Sequence, residues 1–433
     1  MAFDALRAVN ADGAYANLVL AKLLTERGLT GRDAAFATEL LAGTCRLQGT
    51  YDAIITAAAG RSLTSLQPAV VDLLRLGSHQ LLSMRVPLPA AVTAMVDLAA
   101  ATVGERVTGV VNAVLRKVAA ADLANWLDRL STGLDEWDRL ALVTAHPRWI
   151  VAAYADRLPA AELEPALRAD NLSPAVSLAV RPGLTDVAEL LRAGARPGRH
   201  SPYAAAWSGN PAELDAVRSG RAGVQDEGSQ LVTLGLARAT AEPGAWLDLC
   251  AGPGGKTALL TGLAAVDGSR VLAAELAPHR AELVAAGSRA YEHPPTVVVA
   301  DSTRPSWRPG VFTRVLADVP CSGLGALRRR PESRWRRTPE TVEELHPLQL
   351  ALLDSALAAV RSGGVVAYVT CSPHRHETAD VVEQTLARRN DVSVIAAGGL
   401  FGELEAATEG PYLQLWPHRH GTDAMFAAYL RRA

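Results

Sequence analysis

From residue 245 onward, short apolar runs alternate with helical stretches, at 246–249, 271–276, 297–300, 315–317 and 365–369. Runs this short and this apolar are buried on both faces, which predicts a parallel sheet covered by helices. Three of them end at or beside an acid, Asp248, Glu275 and Asp301, at intervals of 27 and 26 residues, the length of one strand-helix unit. Ligands of such a sheet bind at its carboxyl edge.

The first run leads into Leu249-Cys250-Ala251-Gly252-Pro253-Gly254-Gly255-Lys256-Thr257. Gly252, Gly254 and Gly255 let the backbone approach a ligand closely, and a helix starting near Lys256 turns its free amides toward it. The turn is neither a G-x-G-x-x-G fingerprint nor a Walker loop, which needs glycine where Cys250 stands. NTP hydrolysis is therefore disfavoured. Glu275 is placed to accept hydrogen bonds from a ribose diol and Asp301 from an adenine amino group. Any one strand-end acid could simply cap the following helix; together they favour an adenosyl cofactor.

Two cysteines close later runs: Cys321 in Asp318-Val319-Pro320-Cys321-Ser322-Gly323 and Cys371 in Thr370-Cys371-Ser372-Pro373. Two thiols beside an adenosyl cofactor point to methyl transfer onto a pyrimidine carbon. Carbon 5 of cytosine is a poor nucleophile until a thiolate adds to carbon 6, and a second group must then remove the carbon 5 proton. A free thiol titrates at about 8.5, so the attacking one needs a positive or polar neighbourhood, which Lys256 could supply. Asp318 could bind the exocyclic amine and orient the ring. Cys45 and Cys250 read as packing residues.

The first part of the chain has a different character. From residue 3 to about 120, apolar residues recur three and four apart, as in Leu20, Leu23 and Leu24, predicting an all-helical domain. A further helical stretch covers 123–142, and residues 147–223 mix helices, many prolines and a short strand at 176–180. The expected organisation is a helical domain at 1–140, a connecting α/β subdomain at 141–223 and a cofactor-binding α/β domain at 224–433.

The net charge of −2 excludes a globally basic nucleic-acid binder but leaves room for a local patch. Such a patch lies between Ser302 and Arg337, where nine arginines face only Asp318 and Glu332. Arg328, Arg329, Arg330 and Arg334 with Trp335 combine phosphate partners and a stacking surface, so RNA contact is expected there. The four cysteines show no close pairing, no leader or long apolar span opens the chain, and histidine pairs lack cysteine companions. Free thiols, a cytoplasmic location, no membrane association and no metal are expected.

These motifs together resemble the Sun/RsmB family of bacterial ribosomal RNA cytosine-5 methyltransferases, within the wider Nop2/Sun group. The likeness spans nearly the whole chain. It rests on Val224-Gln225-Asp226-Glu227, the turn from Cys250 to Thr257, the Asp318 to Gly323 motif with Arg328 to Trp335, Thr370-Cys371-Ser372-Pro373 with Glu377, and Gly421-Thr422-Asp423. The helical domain is similar to NusB, an RNA-binding fold, through Val111-Asn112-Ala113-Val114-Leu115-Arg116. The resemblance implies a NusB-like all-α domain followed by a Rossmann-like class I methyltransferase domain. It implies S-adenosylmethionine bound by Cys250, Ala251, Gly252, Pro253, Gly254, Gly255, Lys256, Glu275, Asp301 and Asp318, with Cys371 as nucleophile and Cys321 assisting release. The implied substrate is a cytosine of 16S ribosomal RNA in the unassembled or partly assembled small subunit; a monomer is expected. The competing readings are a cytosine-5 methyltransferase of another RNA or of DNA, with Cys321 as nucleophile in the DNA case, and a non-catalytic RNA-binding assembly factor. The chain departs from the family pattern at Gly252, Leu324, Ala113, Ala424-Met425 and around Arg375.

Overall fold

A computed structural model describes residues 1–433. Compactness divides the chain into two units, Met1–Asn171 with Leu327–Arg337, and Leu172–Ala326 with Thr338–Ala433. The division thus falls beyond residue 140: helices Arg148–Ala155 and Ala160–Ala169 lie in the first unit, while the strands that follow lie in the second.

The first unit is helical throughout its first 171 residues; the apolar spacing predicts this as far as residue 142, and the helices beyond fall in the stretch expected to be mixed. Its longest helix, Gly31–Ala59, ends where Gly60 takes a left-handed φ of 68°. Asp122 and Asp135 cap helices Leu123–Ser131 and Glu136–Thr144 by accepting the amides of Asn125 and Asp138. The core gathers Leu6, Leu41, Ile54, Leu73, Leu74 and Leu115, each contributing about 1.5–3 kcal/mol by leaving water. A side chain at Gly77 would place its Cβ 2.7 Å from Leu115, so glycine lets helices Pro68–Leu82 and Thr108–Val118 pack closely.

The second unit starts with a small antiparallel sheet of β1 (Val176–Val180), β2 (Arg196–Pro197), β3 (Ala204–Trp207) and β4 (Ala222–Val224), ordered β2-β3-β1-β4. The large sheet follows: β5 (Trp246–Asp248), β6 (Val271–Glu275), β7 (Thr296–Val299), β8 (Phe312–Asp318), β9 (Val360–Thr370), β10 (Val392–Ile395), β11 (Thr408–Glu409), β12 (Tyr412–Gln414) and β13 (Phe426–Arg432). Its order is β11-β12-β13-β9-β8-β5-β6-β7, with β10 also paired to β13. The five strands from β5 to β9 are mutually parallel. Along β9 the side chains alternate between two cores: Val365, Ala367 and Val369 pack with Leu231 and Leu260, whereas Val366 and Tyr368 pack with Leu353 and Leu357. This is why the run reads as continuously apolar.

The sheet is not wholly parallel. β13 lies antiparallel beside β9, and its Ala427 and Ala428 have weak strand propensity, so that run does not stand out in the sequence.

Candidate functional site

The strand order reverses at β5, whose neighbours are β6 on one side and β8 on the other. A crevice opens at the carboxyl ends on either side of such a switch point. Asp248 ends β5, Glu275 ends β6, Asp318 ends β8, and Asp301 follows β7.

Asp248 is buried and accepts the Thr257 hydroxyl at 2.7 Å through Oδ2, while its Oδ1 has no protein partner. Burial pushes its pKa up to about 7, against the smaller pull of Thr257. Glu275 accepts the Gly252 amide at 2.9 Å and the Ala277 amide at 3.0 Å. A Cβ at Gly252 would lie 2.3 Å from the Glu275 carboxylate, so the glycine at this departure from the family pattern gives the carboxylate its place against the turn. Gly254 has a φ of 108° and begins helix Gly255–Val266; a Cβ there would meet the Val284 backbone at 2.9 Å. Asp301 is exposed and accepts the amide and hydroxyl of Thr303 at 2.9 and 2.7 Å. An orphaned acceptor, a glycine cradle and a row of strand-end carboxylates fit a nucleoside cofactor. The Cys250 thiol is pushed well above its ordinary pKa by burial and by Asp248, which leaves it protonated.

The second half of the site follows from the register of β8 and β9. Asp318 pairs with Val369, so the loops leaving the two strands start side by side. Cys321 and Cys371 meet there with their sulfurs 3.3 Å apart, both half-buried. Two contacts hold the loops. The Gly325 amide donates to the Cys371 carbonyl at 2.8 Å, and any Cβ at Gly325 would fall 1.9 Å from the Ala424 carbonyl. Glu377, fully buried, accepts the Ser322 amide at 2.6 Å, the Ser322 hydroxyl, and Gln349 Nε2 at 3.1 Å. Gln349 also donates to the Pro320 carbonyl at 3.0 Å.

Lys256 reaches across from the glycine turn and donates to Asp318 at 2.7 Å. Burial alone would lower its pKa, but the Asp318 carboxylate outweighs that and raises it, with the Cys371 sulfur adding to the effect. The lysine is therefore a fixed positive charge facing the thiol pocket. The Cys321 thiol is driven well above its ordinary range, chiefly by the Cys371 thiol and then by burial.

Sequence reasoning brings out Cys321, Cys371, Asp318 and Lys256, and the fold draws them together. It gives no role to Glu377 and passes over Gln349. The signal for Gln349 is its place three, four and seven residues before Leu352, Leu353 and Ala356, a polar side chain on an otherwise apolar helix face.

The arginine run needs correction. Arg334 and Arg328 are buried, leaving no open surface for a phosphate. Arg334 donates to the carbonyl of Ala145 at 2.9 Å, to Asn171 Oδ1 at 2.7 Å and to the Asp170 carbonyl at 3.2 Å. Trp335 donates to the Cys45 carbonyl at 2.6 Å, and a Cβ at Gly49 would touch its ring at 2.3 Å. Arg336 donates to the carbonyls of Val9 and Gly13. Arg330 is exposed but lies over the Tyr15 ring at 5.0 Å, and Arg329 is half-buried. Charge density in a sequence cannot separate guanidiniums that meet phosphate from those that meet carbonyls. Of the departures, Leu324 is fully buried and Arg375 is bonded to Asp380 and Glu383.

Sheet order, glycine turn and strand-end acids define a Rossmann-like methyltransferase. Residues 236–431 match the family model of the 16S rRNA methyltransferase RsmB/F, and residues 1–120 match that of the NusB family. The chain is 52% identical to a Mycobacterium tuberculosis protein, Rv1407, described as a methyltransferase, over 100% of this chain and 95% of the relative. It is 30% identical to a Synechocystis protein described as a probable ribosomal RNA small subunit methyltransferase B, over 100% and 99% of the two chains. The solved structure of PH0851 is similar in fold, with a TM-score of 0.79 at 21% identity over 96% of this chain and 94% of that one. The chain belongs to the RsmB/F methyltransferase family, and its methyl donor is S-adenosylmethionine. No helix is long and apolar enough to cross a membrane.

Proposed function

We propose that the protein methylates carbon 5 of a cytosine in small-subunit ribosomal RNA through a covalent bond between Cys371 Sγ and carbon 6. The observation that carries this reading is the pair of sulfurs 3.3 Å apart, beside a lysine-carboxylate pair at the mouth of the cofactor turn. The family match and the relative's name support RNA as substrate. The turn from Cys250 to Lys256, with Glu275, Asp301 and Asp318, would hold the donor, whose sulfonium supplies an electrophilic methyl group.

The cytosine leaves its stack at a cost of a few kcal/mol, which unassembled RNA lowers. Lys256 favours the thiolate of Cys371 by its charge, and Asp318 accepts a hydrogen bond from the exocyclic amine and orients the ring. The thiolate adds to carbon 6, and carbon 5 becomes nucleophilic enough to take the methyl group. Bonding of the Cys371 sulfur to carbon removes the largest influence raising the Cys321 thiol, although burial, Glu377 and Asp318 still raise it. Cys321, as the second group at the ring, takes the carbon 5 proton in its thiolate form. The electrons of that C–H bond restore the ring double bond, and the C6–S pair returns to Cys371. Glu377 and Gln349 keep the two loops in register. The work belongs in the cytoplasm, on small-subunit RNA before assembly is complete.

RNA carrying 5-fluorocytosine tests these roles, because fluorine cannot leave as a proton. Cys321→Ser should still form the covalent adduct and Cys371→Ser should not. The reverse pattern would assign the nucleophile to Cys321, and bisulfite sequencing of RNA from a strain lacking the gene should show one lost cytosine mark.

A further inference from the structure

With Arg334 and Arg328 committed to buried contacts, the RNA needs positive charge elsewhere, and the second unit carries an un-neutralised pair. Arg181 follows β1, and Arg289 follows helix Pro278–Ser288. Both line a cavity of about 360 Å³ together with Arg218, Gly220, Leu283 and Pro253, the last belonging to the cofactor turn. Arg218 is matched by Asp215 at 3.3 Å. Neither Arg181 nor Arg289 has a carboxylate within ion-pairing distance. Arg181 is half-buried, and its guanidinium bonds only to the Gly220 carbonyl. Burial and the like charge of Arg289 press its pKa down. A guanidinium held partly out of water without a counter-charge is costly, and an anion offsets that cost.

Further observations point to the same ligand class. Arg181 also lines a small cavity with Gln225 and Gly255. Gln225 is 8% exposed, and its Nε2 has no hydrogen-bond partner. An unpaired amide donor and two guanidiniums without counter-charges make a field suited to a phosphate group.

We infer that Arg181 and Arg289 form a phosphate-binding site beside the cofactor turn that holds the sugar-phosphate backbone of the RNA. The inference rests on RNA being the substrate, as proposed above, and is independent of which thiol attacks. Backbone contacts of this kind position a strand without reading its sequence.

The test is binding of a small-subunit rRNA transcript to the full-length protein across a salt series, beside calorimetry with S-adenosylmethionine. Arg181→Gln/Arg289→Gln should weaken RNA binding by about tenfold and reduce the salt slope by roughly 1.4, about 0.7 per lost single-strand phosphate contact. Cofactor affinity should be unchanged. Arg289→Gln alone, at an exposed position, should lower the slope by about half as much and guards against a folding defect at Arg181. Arg181→Lys/Arg289→Lys should restore most of the slope. An unaltered slope in the glutamine variants would overturn the site. So would inorganic phosphate raising the thermal midpoint of wild type but not of the variants while RNA affinity stays the same, since that makes it a free-phosphate site. Loss of adduct formation at Cys371 with the slope change intact would overturn the chemistry and leave this site standing.

Discussion

Residues 318–323 and 327–337 are neighbours in the chain and rich in reactive or charged side chains, yet the fold uses them for opposite purposes. The first segment ends a parallel strand and sets Asp318 and Cys321 beside Lys256 and Cys371. The second belongs to the helical unit, where Arg334, Trp335 and Arg336 spend their donors on backbone carbonyls. Chemical potential in a side chain becomes function only where the backbone leaves it facing a cleft. Where the backbone buries it, the same donor count becomes stability.

The largest effect that would sharpen this contrast is in the first segment. Lys256→Met should lower the single-turnover methylation rate by about 10²–10³-fold and move its rise to higher pH, because the Cys371 thiolate loses its neighbouring charge. The thermal midpoint should barely move. A variant as fast as wild type at neutral pH would show that the lysine only braces Asp318.

Arg334→Met should do the reverse. It strands the Ala145 and Asp170 carbonyls and Asn171, so equilibrium unfolding should lose about 3 kcal/mol while the rate per folded molecule stays near wild type. A stable variant that instead loses RNA affinity would return Arg334 to the RNA-contact reading.

How much of this was legible beforehand depends on the kind of signal. Strands β5, β6, β8 and β9 were visible because burial on both faces makes a run uniformly apolar, and the edge strand β7 through its three valines although Val299 is exposed; the thiols were visible because Pro-Cys-Ser-Gly and Thr-Cys-Ser-Pro sit where such strands end. Strand β13 was not, since two alanines disguise it. Gln349 was hidden because its value lies in carbonyl and carboxylate partners at residues 320 and 377. The burial of Arg334 was equally hidden, because its acceptors belong to residues 145, 170 and 171, far away in sequence.

A last comparison sets two buried charges side by side. Arg334 keeps its proton at neutral pH although burial lowers its pKa to about 10, whereas Asp248 is near half-protonation at pH 7. The Asp248 carboxyl titrates near 3.8 unfolded and about 7 folded, so between these values the folded protein holds more protons. Stability therefore declines as pH rises from about 4 to 7, by at most about 1.4 kcal/mol per pH unit, and levels off above. Asp248→Asn should remove that decline, measured by urea unfolding across the range. A decline that persists in the variant would assign it to another group.

The return of residues 327–337 to the helical unit also sets an order of events during synthesis. When residue 171 has been made, the residues of every helix in the first 171 are in the chain, but those that fill the slot of Arg334 and Trp335 are not. The slot stays empty while residues 172–326 are translated, roughly 10 to 30 s at ordinary elongation rates. The first 171 residues must wait, incompletely packed, for a peptide that arrives only after β8 has been made. A gene fragment cut at the apparent boundary would encode a protein permanently in that waiting state.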